Sequence, residues 1–216
     1  PLFKAEGGND LLFIIIAVDV IIGPLITLIV FKLGKPSLRF DLTVIALLQL
    51  AALIYGVYVM FVARPVYIAL TLDQFDTVRA NDLADADFSQ AREAFRSLPL
   101  FGPQYVAVNL PKDRKALGEI ISQATQGKLN VTHSPQYYVP YAEHRKEALG
   151  QGRPLAPTLT GDDDFTRMIK KYLAESGRNA ADLKFMPIQT RRGLGVVLLD
   201  AKTGDIVALL PPPALQ

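Results

Sequence analysis

The sequence contains no cysteine and only two histidines. Without cysteine the chain forms no disulfide bond, no thiolate metal site and no cysteine nucleophile. His133 and His144 do not have a recognised metal-ligand spacing, and we expect them to be surface or structural residues. The signatures GxGxxG, HExxH and GxSxG and the Walker loop are absent as well. The residues therefore give no support to a metal or cofactor, and we expect none.

Charged residues are scarce in the first 64 positions, where only nine occur. Two long apolar segments, residues 11–31 and 42–63, dominate this region, and Asp19 is the single charged residue inside them. A helix of about 20 residues crosses the hydrocarbon core of a bilayer, which is about 30 Å thick. The sequence therefore predicts two transmembrane helices, at residues 11–31 and 42–63.

The loop between these segments, residues 32–41, carries three basic side chains against one acid. Cytoplasmic loops of membrane proteins are enriched in Lys and Arg, so this loop is predicted to be cytoplasmic. Residues 1–10 are then an extracytoplasmic loop, and residues 65–216 lie outside the inner membrane. Because the sequence begins with Pro1 and not with Met, we expect a preceding transmembrane helix or export signal.

Charges are nearly balanced after residue 64, with 18 Lys and Arg against 17 Asp and Glu. A balanced domain offers no electrostatic footprint for nucleic acid, and we expect no nucleic-acid partner. About 150 residues are enough to enclose one hydrophobic core. Residues 65–216 are therefore predicted to form one soluble domain.

Small and polar residues follow one stripe on each apolar segment. The first stripe contains Asp19, Gly23 and Thr27, and the second contains Ala46, Gln49, Ala52 and Gly56. Small residues let transmembrane backbones approach closely, and glutamine supplies a hydrogen bond in lipid. Either the two helices pack on each other through these stripes, or the stripes receive a third transmembrane helix. The spacing alone does not separate these alternatives.

Two further intramembrane predictions concern single residues. Pro24 removes a backbone hydrogen bond to the carbonyl of Val20, so it should kink the first helix. Asp19 and Tyr55 lie at the same predicted depth below the outer boundary. We therefore expect a hydrogen bond between their side chains, because a charged acid in the bilayer is costly.

Residues 65–216 are predicted to be an α+β domain with antiparallel strands, because helices and hairpins follow one another without a βαβ rhythm. Tyr58 and Tyr67 flank the outer boundary, as an aromatic belt would. Strands are predicted at residues 65–72, 104–109, 183–189, 195–201 and 206–210, with a turn at 202–205, and helices at 85–96, 112–126, 142–149 and 163–176.

Two local clusters in this domain have more than one interpretation. The tyrosines at 137–141 either bind a ligand, or pack in the core or anchor a loop. The acidic run at 162–164 either holds a cation or starts a helix, and the spaced oxygen ligands of a calcium loop are missing from it. Core packing and a helix start are the simpler interpretations.

Several segments combine polar and proline residues at fixed places inside apolar runs. They are VDVIIGPLITLIVF at 18–31, LLQLAALIYG at 47–56, ARPVY at 63–67 and the hairpin DAKTGDIVALLP at 200–211. In these segments the chain resembles the type IV pilin accessory proteins of the TfpX/TfpZ group, which are related to the fimbrial assembly protein FimB. Asp19, Pro24 and Gln49 occupy positions of the shared motif.

The resemblance implies a non-enzymatic inner-membrane protein with a periplasmic domain that acts with one major pilin and modulates its assembly or surface display. It further implies an additional N-terminal transmembrane helix, contact with membrane lipid and contact with other pilus assembly proteins. Chaperone-like binding of pilin before assembly is one mechanism of this class. The alternative is a membrane-anchored periplasmic enzyme or envelope sensor, which requires a site of converging polar groups that the sequence does not display.

Overall fold

The computed structural model describes residues 6–30, 36–127 and 129–212, without the side chains of residues 18, 19 and 30. The chain divides into two compact units. The helical unit is Gly7–Arg64, and the sheet unit contains the described residues from Pro65 onward together with Glu6.

The helical unit contains two apolar helices. The first comprises α1 (Gly8–Ala17), a π-helical turn (Val18–Ile22) and α2 (Gly23–Val30), and the second is α3 (Leu38–Val62). Both are long and apolar enough to cross a membrane. Most of their large apolar side chains are exposed, which distinguishes them from the buried core helices of a soluble protein.

The π-helical turn precedes Pro24 and contains Val20. Proline has no N–H to donate to the carbonyl four residues earlier, and its ring crowds that carbonyl. A π-helical turn widens the backbone ladder and is a known cause of helix distortion. A π-helical turn therefore lies directly before Pro24, and the kink predicted there stays a prediction.

In the described part of the sheet unit, eight strands form one mixed sheet in the order β4-β3-β1-β2-β6-β7-β8, with β5 paired to β6. The strands are β1 (Pro65–Leu70), β2 (Phe75–Arg79), β3 (Gln104–Val108), β4 (Tyr138–Pro140), β5 (Arg153–Pro154), β6 (Leu183–Thr190), β7 (Gly193–Asp200) and β8 (Ile206–Leu210).

The expectation of antiparallel pairing was wrong for two strand pairs. β1 and β3 run parallel, as do β2 and β6, while the other neighbours are antiparallel. Tight turns join only strands that are adjacent in the sequence, such as β6 and β7. The connection from β1 to β3 runs through β2 and an irregular segment, and the connection from β2 to β6 contains three helices and the strands β3, β4 and β5. Neither connection is a simple βαβ unit, so no βαβ signal marks the parallel pairs.

Three longer helices flank the sheet: α4 (Arg114–Thr125), α5 (Arg145–Gln151) and α6 (Asp164–Ser176). They lie close to their predicted positions. The Asp163 carboxylate accepts a hydrogen bond from the Thr166 N–H at 2.7 Å, and Gly177 ends α6 with a left-handed φ of 66°. The acidic run therefore starts a helix, which is the simpler of its two interpretations.

The predicted helix at residues 85–96 was wrong. The segment has turns and a short 3-10 helix, Glu93–Phe95. The Asp87 carboxylate accepts a hydrogen bond from the Ser89 N–H, a local bond that competes with helical pairing. Ala91 and Phe95 are buried in the core, and their burial fixes this irregular path.

Tyrosines at 137–141 contribute to the core on both faces of the sheet. Tyr138 is fully buried in an edge-to-face cluster with Tyr67 and Phe95. Tyr141 packs against Phe75, and its hydroxyl donates to the carbonyl of Gly204 at 2.6 Å. Burial raises the pKa of Tyr141 to about 12.

These contacts test two predictions, the role of the tyrosine cluster and the aromatic belt. The core interpretation holds for the tyrosine cluster, because Tyr138 and Tyr141 are buried. The aromatic-belt assignment was wrong for Tyr67, which lies inside the sheet unit with no exposed surface. Tyr58 is exposed on α3.

Candidate partner-binding sites

The two small-residue stripes of the helical unit meet at Gly23 and Gln49. A Cβ atom on Gly23 would lie 1.9 Å from Nε2 of Gln49, so the glutamine amide occupies the space that glycine leaves open. Gly23 is buried and Gln49 is half-buried. Absence of a side chain at position 23 is therefore what allows this close approach.

Gly56 makes a second close approach in the same unit. A Cβ atom there would lie 2.8 Å from Cγ1 of Ile15, so Ile15 packs against the bare backbone of α3. Thr27 uses its hydroxyl within its own helix, donating to the carbonyl of Gly23 at 2.9 Å. These contacts are those of two helices packed on each other through small residues.

An apolar groove of about 270 Å³ lies beside the Gly56 contact. Tyr55 is 68 % exposed on it. Its walls contain only apolar side chains and Tyr55, together with the glycine, and are formed by Leu11, Ile14, Ile15, Ala52, Tyr55, Gly56 and Val59. A groove of this composition can take an aliphatic side chain or a lipid chain, and it offers no group for acid–base chemistry.

Two residues of the predicted site and stripes, Pro24 and Ala46, lie outside these contacts. Pro24 is exposed. Ala46 is exposed too. The side chain of Asp19 lies outside the described part of the structure, so its hydrogen bond to Tyr55 stays a prediction.

The sheet unit carries a larger cleft, of about 600 Å³, that the sequence did not reveal. It lies where the parallel strands β1 and β3 end, between α4 and α5. Leu72 is 80 % exposed and Ile121 is 55 % exposed on its walls. The cleft follows from the parallel pairing, which brings Leu70 level with Ala107 at one edge of the sheet. A sequence without a βαβ pattern gives no signal for that pairing.

Seven of the seventeen residues that line this cleft are polar or charged. Nε2 of His144 lies 3.2 Å from the largely exposed carboxylate of Glu147, and Nδ1 of His144 is buried with no hydrogen-bond partner among the described residues. Asp73 and Lys112 are exposed on the same cleft. Within residues 6–30, 36–127 and 129–212, no group of three or more His, Asp or Glu side chains is placed to hold a metal. The cleft suits a partner segment that presents apolar side chains together with several polar groups.

The ion pair between Arg79 and Asp82 in the sheet unit favours the charged form of the Asp82 carboxylate. Asp82 accepts hydrogen bonds from the guanidinium and the backbone N–H of Arg79, at 2.8–3.0 Å. Although burial favours the protonated acid, these bonds hold the pKa of Asp82 below its usual value. Burial also lowers the pKa of His133, and nearby Asp82 opposes that effect. The pair joins the end of β2 to the short 3-10 helix Ala80–Leu83 and is structural.

The chain is similar to three fimbrial assembly proteins of Dichelobacter nodosus. It is 30% identical to those of serogroup I and serogroup E1, each over 207 residues covering 93% of this chain and 79% of the relative. It is 35% identical to the protein of serogroups C1 and C2 over 96 residues, covering 42% of this chain and 71% of the relative. No family model and no solved structure matches the chain.

Proposed function

The chain belongs to the family of type IV fimbrial assembly proteins, and from this premise we propose that it is a non-enzymatic, inner-membrane accessory factor of type IV pilus biogenesis. It modulates the assembly or surface display of one major pilin by binding that pilin before assembly. The observation that carries the proposal is the extent of the similarity, which covers 93% of the chain and therefore both apolar helices and the sheet unit.

Membrane anchoring is supported by the surface of the two apolar helices. Their outward side chains include Phe13, Leu28 and Leu48, all largely exposed. Such a surface is stable in lipid and costly in water. The basic residues in the loop at 32–41 support a cytoplasmic position for that loop and, with it, a periplasmic position for the sheet unit.

Two surfaces fit a pilin that waits in the inner membrane by one apolar helix. The groove beside Tyr55 and Gly56 can receive apolar side chains of that helix. The cleft of the sheet unit, with Leu72 and Ile121 exposed on its walls, can receive an apolar segment of the pilin head. A pilin held at both surfaces is kept from premature assembly, which is the chaperone-like step.

The membrane half of this mechanism is tested by recovering pilin with the affinity-tagged full chain from detergent extracts. Replacing Ala52 by leucine should lower pilin recovery, because the larger side chain fills part of the groove that the pilin helix is proposed to occupy. The matched control is Leu28→Ala with Leu48→Ala, which changes exposed apolar positions on the same helices. Unchanged recovery with the leucine variant would remove the intramembrane contact, and no recovery with the natural sequence would reject pilin binding altogether.

A membrane-anchored enzyme or envelope sensor is the alternative, and the feature that favours it is the His144–Glu147 pair in the cleft. The catalytic version predicts that His144→Gln abolishes pilus assembly while the protein still binds pilin. The accessory-factor proposal predicts that this variant assembles pili normally, since the imidazole takes part in no chemical step. Counting surface pili by electron microscopy separates the two.

A further inference from the structure

A short loop of the sheet unit presents two apolar side chains to its surroundings. Phe101 is 92 % exposed, and Leu100 beside it is 65 % exposed. Isolated exposed apolar residues are common, but adjacent Leu and Phe side chains that are both largely exposed are a feature of surfaces that meet an apolar partner.

The backbone holds these two side chains outward. Leu98 is partly buried against the core cluster around Tyr67 and Phe95, and it anchors the start of the loop. Gly102 has a φ of 58°, a left-handed conformation that turns the chain back toward β3. Leu100 and Phe101 therefore form the tip of a turn whose ends are fixed.

The loop lies at a defined edge of the sheet. It precedes β3, and β3 runs parallel to β1 with Gln104 opposite Tyr67. The amino-terminal ends of both strands therefore lie at the same edge. β1 begins at Pro65, which only Ala63 and Arg64 separate from the end of α3 at Val62. This edge is thus the one to which the second apolar helix is covalently joined.

We propose that Leu100 and Phe101 insert into the outer surface of the membrane that anchors the chain, a proposal that rests on the membrane anchoring proposed above. Leucine and phenylalanine are the side chains that interfacial protein segments bury at the boundary of headgroups and acyl chains. Lipid is the favoured partner because the sheet edge that carries them continues directly into a helix suited to that membrane. The loop supplies a second point of membrane contact for the sheet unit.

The chain contains no tryptophan, so a single introduced indole reports its own surroundings. We would place it by Phe101→Trp in the full chain, reconstituted without pilin in vesicles of phosphatidylethanolamine and phosphatidylglycerol. A matched control is Leu72→Trp, since Leu72 is 80 % exposed and follows the opposite, carboxyl-terminal end of β1. Lipids brominated on the acyl chains should quench the first indole at least about twofold and leave the second unchanged.

Four results would overturn the proposal in distinguishable ways. If neither variant floats with the vesicles, membrane anchoring fails and the loop proposal fails with it. If the chain floats but bromolipids leave the Phe101→Trp emission unchanged, only loop insertion is rejected. If the indole is buried only after pilin is added to the vesicles, the loop binds pilin. If its burial increases with the density of the protein in the vesicles, the loop contacts a second copy of the chain.

Discussion

Asp82 shows how a single residue in the sheet unit responds to pH. Its carboxylate is partly buried and receives hydrogen bonds from both the side chain and the backbone of Arg79. A carboxyl whose pKa is lower in the folded than in the unfolded chain stabilises the fold at neutral pH. That stabilisation begins to decline as the pH falls below the unfolded value of about 3.9, and it is lost as the pH falls through the folded pKa.

Asp82→Asn should therefore lower the free energy of unfolding by about 1–3 kcal/mol near neutral pH, because hydrogen bonds to a charged group are lost. The difference from the natural chain should shrink as the pH falls below the ordinary pKa of aspartate. Denaturant unfolding of the full chain in detergent, at neutral and at acid pH, measures both effects. Asp85→Asn, in an exposed position nearby, is the control. A deficit that stays constant over the whole pH range would contradict this assignment.

Single residues also show what sequence spacing can and cannot predict. The helical spacing of small and polar side chains, every three or four residues, predicted that Gly23 and Gln49 line contact surfaces, and these two residues do meet. The spacing did not reveal that they face each other, because packing on a third helix requires the same period. The exposure of Phe101 could not be predicted, because a phenylalanine in the sequence does not show whether the tertiary structure buries or exposes it.

Elements were predicted best where local chemistry decides them. Helix α6 has an acidic cap, an apolar stripe and a terminal glycine, and all three act within its own residues. Strands β2 and β4 and the irregular path through residues 85–96 were missed, because tertiary burial holds them in place. The parallel pairings were missed for the same reason, and the cleft they create was missed with them.

The edge strand β8 depends on one glycine of its neighbour. A Cβ atom on Gly195 in β7 would lie 2.5 Å from the carbonyl oxygen of Leu210 in β8. Gly195→Ala should push the end of β8 away from the sheet and lower the free energy of unfolding by about 1–3 kcal/mol. Thermal unfolding of the full chain in detergent measures this.

Gly118→Ala is the matched control for that substitution. Gly118 lies in α4, and a Cβ atom there meets nothing within 4 Å. Alanine is a better helix former than glycine, so this variant should be more stable by about 0.5–1 kcal/mol. If both variants moved in the same direction, the close approach of β7 and β8 would not be the cause.

On the scale of the whole molecule, a membrane-suited helical unit precedes a sheet unit with its own core and cleft. Composition and hydropathy predicted this two-part organisation, because a long apolar segment is recognisable from local sequence alone. The cleft that we propose as a partner surface was beyond prediction, since it is assembled from β1, β3, α4 and α5, which are distant in sequence. The proposed accessory role depends on that surface.

The most direct test of that role is photo-crosslinking in living cells that make the pilin. A photoreactive residue at Leu72 or Ile121, both on the cleft, should give an adduct that pilin antibodies detect. The same residue at Leu194, which is exposed on β7 and does not line the cleft, should give none. Pilin adducts from the two cleft positions alone are the predicted result. Absence of pilin adducts from both cleft positions, in cells where the protein is present at its natural level, would contradict the account.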